Sequence, residues 1–232
     1  MSSSNDQVLV WDWPVRVMHW CLALSVFGAW LTHELEGDWF AWHVRFGYAV
    51  LVVTVVRLVW GFVGTRHARF VAFVRGPRAV LGDLRTLWKR DAEGSVGHTP
   101  AGAWMILALL GMLLAQGVTG LFSNDQVYQT GPLFGYVTGQ MSDRVTTLHK
   151  QIFDVLWGAI LIHVLAAIFY LIIKRRNLIA PMFSGRKSRK DVPEGEEIHA
   201  SRGFIAIVIA AVVIAVLVLL VQTAPEAFLF GF

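Results

Sequence analysis

The sequence predicts an all-α integral membrane protein, a helical bundle of five spans. Two observations lead to this class. Of the 232 residues, 56% are hydrophobic and 12% are aromatic, and the mean hydropathy is +0.57, which is far above that of a soluble domain. Five segments also reach the length of about 20 apolar residues that a transmembrane helix needs. They are residues 14–33, 42–63, 101–122, 145–173 and 203–221, and they predict one integral membrane domain over residues 1–232.

Basic residues cluster in the segments after the second and fourth spans, which sets the expected orientation. The first of these segments contains Arg66, Arg69, Arg75, Arg78, Arg85, Lys89 and Arg90. Basic loops stay in the cytoplasm, so we expect a cytoplasmic N-terminus and an external C-terminus. The loop between the first two spans has only acids, Glu34, Glu36 and Asp38, and Arg144 lies on the same side before the fourth span. The net charge of +4 therefore reflects topology and contact with membrane lipid, not nucleic acid.

Local patterns define the remaining elements. Pro77 after Gly76 can start a short helix, whose apolar residues fall on one face: Val80, Leu81, Leu84, Leu87 and Trp88. We expect this helix on the inner membrane surface. Ser142 is a capping-type residue ahead of the fourth span. The fifth span has no charge and no histidine, so it predicts contact with lipid or a partner.

Four of the eight histidines lie within spans: His19, His43, His149 and His163. An ionisable side chain in hydrocarbon costs about 2.5 to 3.5 kcal/mol on insertion scales, so its presence suggests function. His163 follows His149 by 14 residues, which places both on one helix face about 21 Å apart. By depth, His19 matches His163 near the cytoplasm and His43 matches His149 near the outside. His33 has the depth to face His149 as well, so spacing alone leaves His33 and His43 as alternatives.

Two stacked pairs of neutral imidazoles across a helical bundle suit haem iron held axially from both sides. Zinc would need its ligands close together, which the separation of about 21 Å forbids. Because both axial positions are filled, such an iron carries electrons and does not bind oxygen. The single Cys21 excludes a C-x-x-C-H motif, so any haem is non-covalent.

Three further residues fit a haem site. Gly47 lies four residues after His43 on the same face, where a missing side chain lets a porphyrin approach the helix. Arg57 lies 14 residues after His43, at the inner depth, where it could bind a haem propionate. Arg16, three residues before His19, could do the same or extend to lipid phosphates.

The chain resembles the bacterial di-haem cytochrome b561 family, and within it the b-type cytochrome subunits of nickel-iron hydrogenases. Four motifs carry the resemblance, in order and on the matching spans: "WPVRVMHW", "HVRFGYAVLVVTVVRLVWGFVG", "HTPAGAWM" and "LHKQIFDVLWGAILIHV". The resemblance covers residues 10–187, about three quarters of the chain. The implied fold is a four-helix haem-binding core plus a fifth transmembrane helix.

The resemblance implies two haem b groups, one held by His19 and His163 near the cytoplasm and one held by His43 and His149 near the outside. The His-x-x-x-Gly-Tyr pattern that starts at His43 decides for His43 over His33. Such proteins lie in the bacterial cytoplasmic membrane and relay electrons between a periplasmic partner, a cytochrome c or hydrogenase-like protein, and the quinone pool. The implied class is an electron-transfer protein or a quinone-linked oxidoreductase subunit.

Two other functions compete with this relay. A superoxide:quinone oxidoreductase of the cytochrome b561 type would favour basic groups beside the outer haem, as Arg144 and Lys150 provide, whereas the acids of the first loop favour a cationic docking partner. A haem-free transporter or membrane anchor would use the histidines as proton relays. It predicts broken helices, and no span shows a Gly/Pro break at mid-depth.

Residues outside this core also carry expectations. We expect the loop histidines His67, His98 and His199 to be solvated. Asp154, in the outer third of the fourth span, is the strongest quinone or proton candidate from the sequence. The tryptophans near the ends of the first two spans are expected in the interfacial belt: Trp11, Trp13, Trp39 and Trp42.

Overall fold

The computed structural model describes residues 7–35, 37–88, 96–127 and 129–225. Eight helices occur in this part of the chain: α1 (Trp13–Glu34), α2 (Phe40–Val63), α3 (Phe70–Phe73), α4 (Pro77–Arg85), α5 (Pro100–Phe122), α6 (Gly139–Ile172), α7 (Ala180–Ser184) and α8 (Gly203–Gln222). Five of them, α1, α2, α5, α6 and α8, are long and apolar enough to cross a membrane. The protein is therefore an all-α membrane bundle, as the sequence predicts.

Helix α6 starts at Gly139, six residues before the predicted start of the fourth span. Thr138 Oγ1 accepts a hydrogen bond from the Met141 N–H at 3.3 Å, which caps the first turn. Ser142 is not the cap. It lies inside the helix, is fully buried, and donates to the Phe122 carbonyl at 2.7 Å. A hydropathy window misses this polar first turn because it records only the apolar part of the helix.

The chain divides into two compact units, and each boundary between them lies inside one of the five long helices. The first unit comprises Met1–Val17, Arg57–Leu109 and Ala159–Ala206, and the second comprises Met18–Val56, Leu110–Gly158 and Ile207–Phe232. The first unit holds both basic loops, apart from Lys89 and Arg90, which lie outside the described residues. The second unit holds the loop with Glu34 and Asp38, whereas Glu36 is not among the described residues.

A buried carboxylate organises the start of α1 in the first unit. Asp12 Oδ1 accepts the Val15 N–H at 2.7 Å and so caps the helix. Asp12 Oδ2 accepts from Trp60 Nε1 at 3.2 Å and from the Thr65 hydroxyl. Just before this cap, strand β1 (Gln7–Leu9) pairs antiparallel with β2 (Arg186–Ser188), a small sheet that the sequence analysis did not predict.

The amphipathic helix α4 starts at Pro77, as predicted, and its apolar Leu81 and Leu84 are exposed. Asp83 on α4 accepts the Ala101 N–H at 3.0 Å and so satisfies one free donor at the start of α5. In the second unit, Leu51, Leu121 and Leu133 form a hydrophobic core. These contacts anchor α2 and α5, the two helices that carry much of the site described next.

Candidate haem site

His43 and His149 lie together in the second unit. Their ring centroids are 6.4 Å apart and their planes are inclined by 79°. A metal bound at about 2 Å by one ring nitrogen from each side separates two imidazole centroids by about 6 Å. The spacing therefore fits a pair of axial ligands on one iron. His33 is exposed, and its ring centroid lies 5.7 Å from that of His43.

Hydrogen bonds at Nδ1 set which nitrogen each ring presents. His43 Nδ1 lies 2.8 Å from the Ala29 carbonyl, so it carries the proton and donates. His149 Nδ1 lies 3.0 Å from the Gln116 carbonyl and donates to it in the same way. In both rings Nε2 is then the unprotonated nitrogen, which is the form that binds a metal.

The Gln116 side chain also contacts this face of His149. Its amide nitrogen lies 3.0 Å from His149 Nε2 and donates to it, while its Oε1 is buried and has no hydrogen-bond partner among the described residues. An iron at Nε2 requires this amide to turn to another rotamer. In this rotamer the buried amide oxygen of Gln116 therefore has no donor among the described residues.

Two glycines shape the space around the histidines. A Cβ at Gly120 would lie 3.1 Å from Cε1 of His149, so only glycine leaves the imidazole its full room. A Cβ at Gly47 would meet no atom within 4 Å, although the residue is half-buried. An open space beside a half-buried helix position, one turn after His43, fits the close approach of a flat group.

The other predicted pair, His19 and His163, falls in different units. His19 is half-buried in α1, and its ring packs edge-on against Trp20 with 5.1 Å between the centroids. His163 is half-buried in α6 and belongs to the first unit. The helices thus hold both side chains away from full exposure, each within its own unit.

The two arginines named by the sequence lie in the first unit. Arg57 is 6% exposed, its Cζ lies 5.4 Å from the centroid of Phe70, and its Nη1 is buried without a hydrogen-bond partner in the described part of the chain. A buried guanidinium nitrogen without an acceptor fits an anionic group such as a propionate. Arg16 donates to the Phe183 carbonyl at the end of α7, so part of its hydrogen-bonding capacity is used within the protein.

Two of the three loop histidines are not solvated, contrary to the sequence-based expectation: His67 is buried and His98 is half-buried. His67 is 7% exposed, and its Nε2 contacts the Glu196 carbonyl at 2.7 Å. The His98 ring packs between Trp11 and Phe73 at centroid distances of 4.6 and 4.5 Å. Burial, and then the nearby Arg57 guanidinium, lowers the pKa of His98 to about 3, so the ring is neutral at pH 7. His199 is exposed, as expected.

The expectation that Trp11 lies in the interfacial belt is also wrong, because Trp11 packs against His98 in this cluster. Trp11 is 5% exposed, whereas Trp13, Trp39 and Trp42 are exposed. Beside this cluster, the first unit contains a cavity of about 400 Å³ lined by Arg66, Arg75, Phe73 and His98, among others. Sequence patterns do not show this cluster because its residues are distant along the chain and meet only when the loops fold over one another.

Residues 10–185 match the family described as prokaryotic cytochrome b561. Among curated proteins, the chain is 27% identical to a probable Ni/Fe-hydrogenase B-type cytochrome subunit of Bradyrhizobium diazoefficiens, over 79% of this chain and 87% of the relative. It is 28% identical to the protein of the same name in Rhodobacter capsulatus, over 81% and 84%. It is also 26% identical to a probable Ni/Fe-hydrogenase 1 B-type cytochrome subunit of Escherichia coli, over 82% and 96%.

No solved structure matches the chain significantly. The family match covers more than half of the chain, and the helices have the length and composition that a membrane cytochrome requires. The chain belongs to the prokaryotic cytochrome b561 family and is an integral membrane b-type cytochrome of electron transfer, whose cofactor is haem b.

Proposed function

We propose that this protein is a di-haem relay that moves electrons across the bacterial cytoplasmic membrane between a periplasmic redox partner and the quinone pool. His43 and His149 hold the outer haem, and His19 and His163 hold the inner one. The observation that carries the proposal is the distance of 6.4 Å between the His43 and His149 rings, with both Nδ1 atoms bonded to backbone carbonyls. Haem iron supplies one-electron chemistry at each site.

The remaining site residues have separate roles in this proposal. Gly47 leaves the space beside His43 that a porphyrin needs. Arg57 supplies a buried cation for a propionate of the inner haem, since its Nη1 has no acceptor in the described residues. Arg16, in the first turns of α1, is the second candidate for such a contact.

We assign the partner side from the charges of the loops. Glu34 and Asp38 are exposed in the second unit, so they favour a cationic docking surface on a cytochrome c or hydrogenase-like partner. The names of the relatives, which are cytochrome subunits of Ni/Fe-hydrogenases, support the hydrogenase-like alternative. Under this orientation the acidic loop with Glu34 and Asp38 lies on the periplasmic side and the basic loops lie on the cytoplasmic side.

The first unit offers a place for the quinone. The cavity of about 400 Å³ combines the aromatic wall of Phe73 with the neutral ring of His98. A neutral imidazole can donate one hydrogen bond to a quinone carbonyl, and His163 lies within electrostatic range of His98. We propose that the quinone head group binds here. Asp154, the candidate from the sequence, is exposed on α6 in the second unit.

Superoxide is a second candidate electron donor. Arg144 and Lys150 are exposed on α6 near His149 and could attract a small anion. Stopped-flow reduction of the purified protein distinguishes the two functions: a relay is reduced by its protein partner, whereas a superoxide:quinone oxidoreductase is reduced by superoxide and loses this rate when Arg144 and Lys150 become Gln.

An absorption spectrum with haem quantification tests the central proposal. Two bis-histidine sites predict sharp low-spin b-type bands on reduction and two haems per chain. The His149→Ala variant is expected to retain one. A folded and active protein without haem would support the transporter or anchor instead, and a five-coordinate high-spin spectrum would contradict the ligand assignment.

A further inference from the structure

His149 makes its polar contacts with one face of α5. The Gln116 carbonyl, the Gln116 side-chain amide and the Thr119 hydroxyl all lie within 3.1 Å of a ring nitrogen. Gly120 completes this face, because a Cβ there would lie 3.1 Å from the ring. Residues 116, 119 and 120 share one side of the helix by their spacing. One segment of α5 thus determines both the orientation of the imidazole and the space it occupies.

The Thr119 hydroxyl donates its hydrogen within α5. Thr119 Oγ1 lies 2.7 Å from the Ala115 carbonyl and 3.1 Å from the Gln116 carbonyl, so its hydrogen points to the backbone of its own helix. The oxygen then faces His149 Nδ1, 3.1 Å away, with a lone pair. Both groups near Nδ1 are therefore acceptors, and the Nδ1 hydrogen is shared between them.

The two histidines proposed to hold the outer haem, His43 and His149, differ in the acceptors near Nδ1. Within the described residues, His43 Nδ1 has one acceptor, the Ala29 carbonyl at 2.8 Å, whereas His149 Nδ1 has the Gln116 carbonyl and Thr119 Oγ1. An acceptor at the distal nitrogen fixes the tautomer and makes the ligating nitrogen more basic. A more basic ligand stabilises ferric over ferrous iron, and therefore lowers the midpoint potential.

We propose that Thr119 is a positioning residue for the outer haem: its hydroxyl oxygen is a second acceptor for the Nδ1 hydrogen of His149, which makes the ligating nitrogen more basic and lowers the potential of that haem relative to a site without the hydroxyl. Gly120 provides the room that this ring orientation needs. The inference rests on the proposed function, since it requires His149 to be an iron ligand.

A redox titration that resolves the two haems tests the proposal. Thr119→Val removes the acceptor at nearly constant volume, so the potential of the haem that is lost in His149→Ala should rise while the other stays unchanged. Thr119→Ser keeps the hydroxyl and should restore the original value. Thr147→Val is the matched control, because Thr147 on α6 is exposed and its hydroxyl donates to the Asp143 carbonyl of its own helix, at 3.0 Å.

Gly120→Ala provides a second, independent variant. It should lower occupancy of the same haem, whereas Gly111→Ala, on the same helix with no atom within 4 Å of its Cβ, should not. A Thr119→Val protein with two haems and unchanged potentials would overturn the inference and leave the proposed function intact. Retention of both haems in His149→Ala would instead overturn the proposed function.

Discussion

Single residues determine which histidine can serve as a ligand near the outer end of α1 and α2. The His33 and His43 rings are only 5.7 Å apart, but His43 is half-buried and donates to the Ala29 carbonyl. His33 is exposed and is followed by Glu34. A haem edge at His33 would bring its propionates toward that carboxylate, an unfavourable arrangement of like charges.

We therefore expect His43→Ala to lose one haem per chain and His33→Ala to keep two. The physical reason is that only His43 combines a partner ring at 6.4 Å with a fixed tautomer. Haem extracted from the purified variants and divided by protein concentration gives the measurement. One haem in the His33 variant together with two in the His43 variant would disprove both the pairing and the assignment of α2.

Gly47 allows a test in which protein packing and haem binding respond differently. No atom lies within 4 Å of a Cβ at this position, so Gly47→Ala should leave folding unchanged. A porphyrin against α2 would meet the added methyl group, and we expect lower occupancy of one haem. Haem content and circular dichroism are measured together, with Gly111→Ala as the control. Full occupancy in Gly47→Ala would show that no haem approaches the helix here.

Sequence spacing predicts the candidate ligands but not the groups that orient them. The four span histidines follow from their positions within apolar segments and from helical periodicity. Gln116, Thr119 and Gly120 have no such pattern, because which side of α5 faces His149 depends on how that helix is rotated in the bundle. The rotation follows from side-chain packing such as that of Leu51 and Leu121, which one sequence does not specify.

At the scale of elements, hydropathy predicts the apolar body of each helix better than its ends. The caps themselves are local, because Asp12 and Thr138 each accept an N–H three residues later, but Asp12 is buried through its bonds to Trp60 and Thr65, far along the chain. The β1–β2 pairing likewise joins residues far apart in the chain. Such long-range contacts leave no local periodicity.

Asp12→Ala should destabilise the first unit by about 1–3 kcal/mol, because the buried Trp60 and Thr65 donors and the first turn of α1 lose their acceptor. The expected result is a lower midpoint of thermal unfolding in detergent, followed by circular dichroism. Asp38→Ala, at an exposed site, is the control and should leave the midpoint unchanged. Equal midpoints for the wild type and Asp12→Ala would contradict the role of this carboxylate as a shared acceptor.

The loop cluster around His98 predicts a dependence of stability on pH. The folded-state pKa of His98 is about 3, below its ordinary value of 6.5, because of burial and the charges of Arg57, His67, Lys187 and His163. As the pH falls, His98 therefore binds a proton in the unfolded chain at a higher pH than in the folded protein. The stability that is present above pH 6.5 is lost as the pH falls toward 3.

His98→Phe retains an aromatic ring between Trp11 and Phe73 and removes this titration. We expect its unfolding temperature to fall less than that of the wild type between pH 6.5 and pH 4, in the same detergent. His199→Phe, at an exposed position, should follow the wild type. If the wild type and His98→Phe have parallel pH profiles, the ring does not titrate across this range on unfolding.

At the scale of the whole molecule, the described basic residues of the loops lie in the first unit. The described basic residues between α2 and α5, and those after α6, all belong to the first unit, and the acids Glu34 and Asp38 belong to the second. The same division separates the candidate quinone cavity from the His43–His149 pair. The charge of the basic loops therefore predicts that these loops lie in the cytoplasm.

The last prediction concerns this orientation. Because seven basic residues lie between the second and third spans, a reporter inserted near Glu93 should be cytoplasmic and one fused after Phe232 should be external; both positions lie outside the described residues. Alkaline phosphatase activity, which requires export, and green fluorescence, which requires the cytoplasm, provide complementary measurements at each position. Fusions of the same reporters after Gly37, in the acidic loop, serve as a matched external control. Phosphatase activity near Glu93 with fluorescence after Phe232 would reverse the orientation and exchange the sides assigned to the two haems.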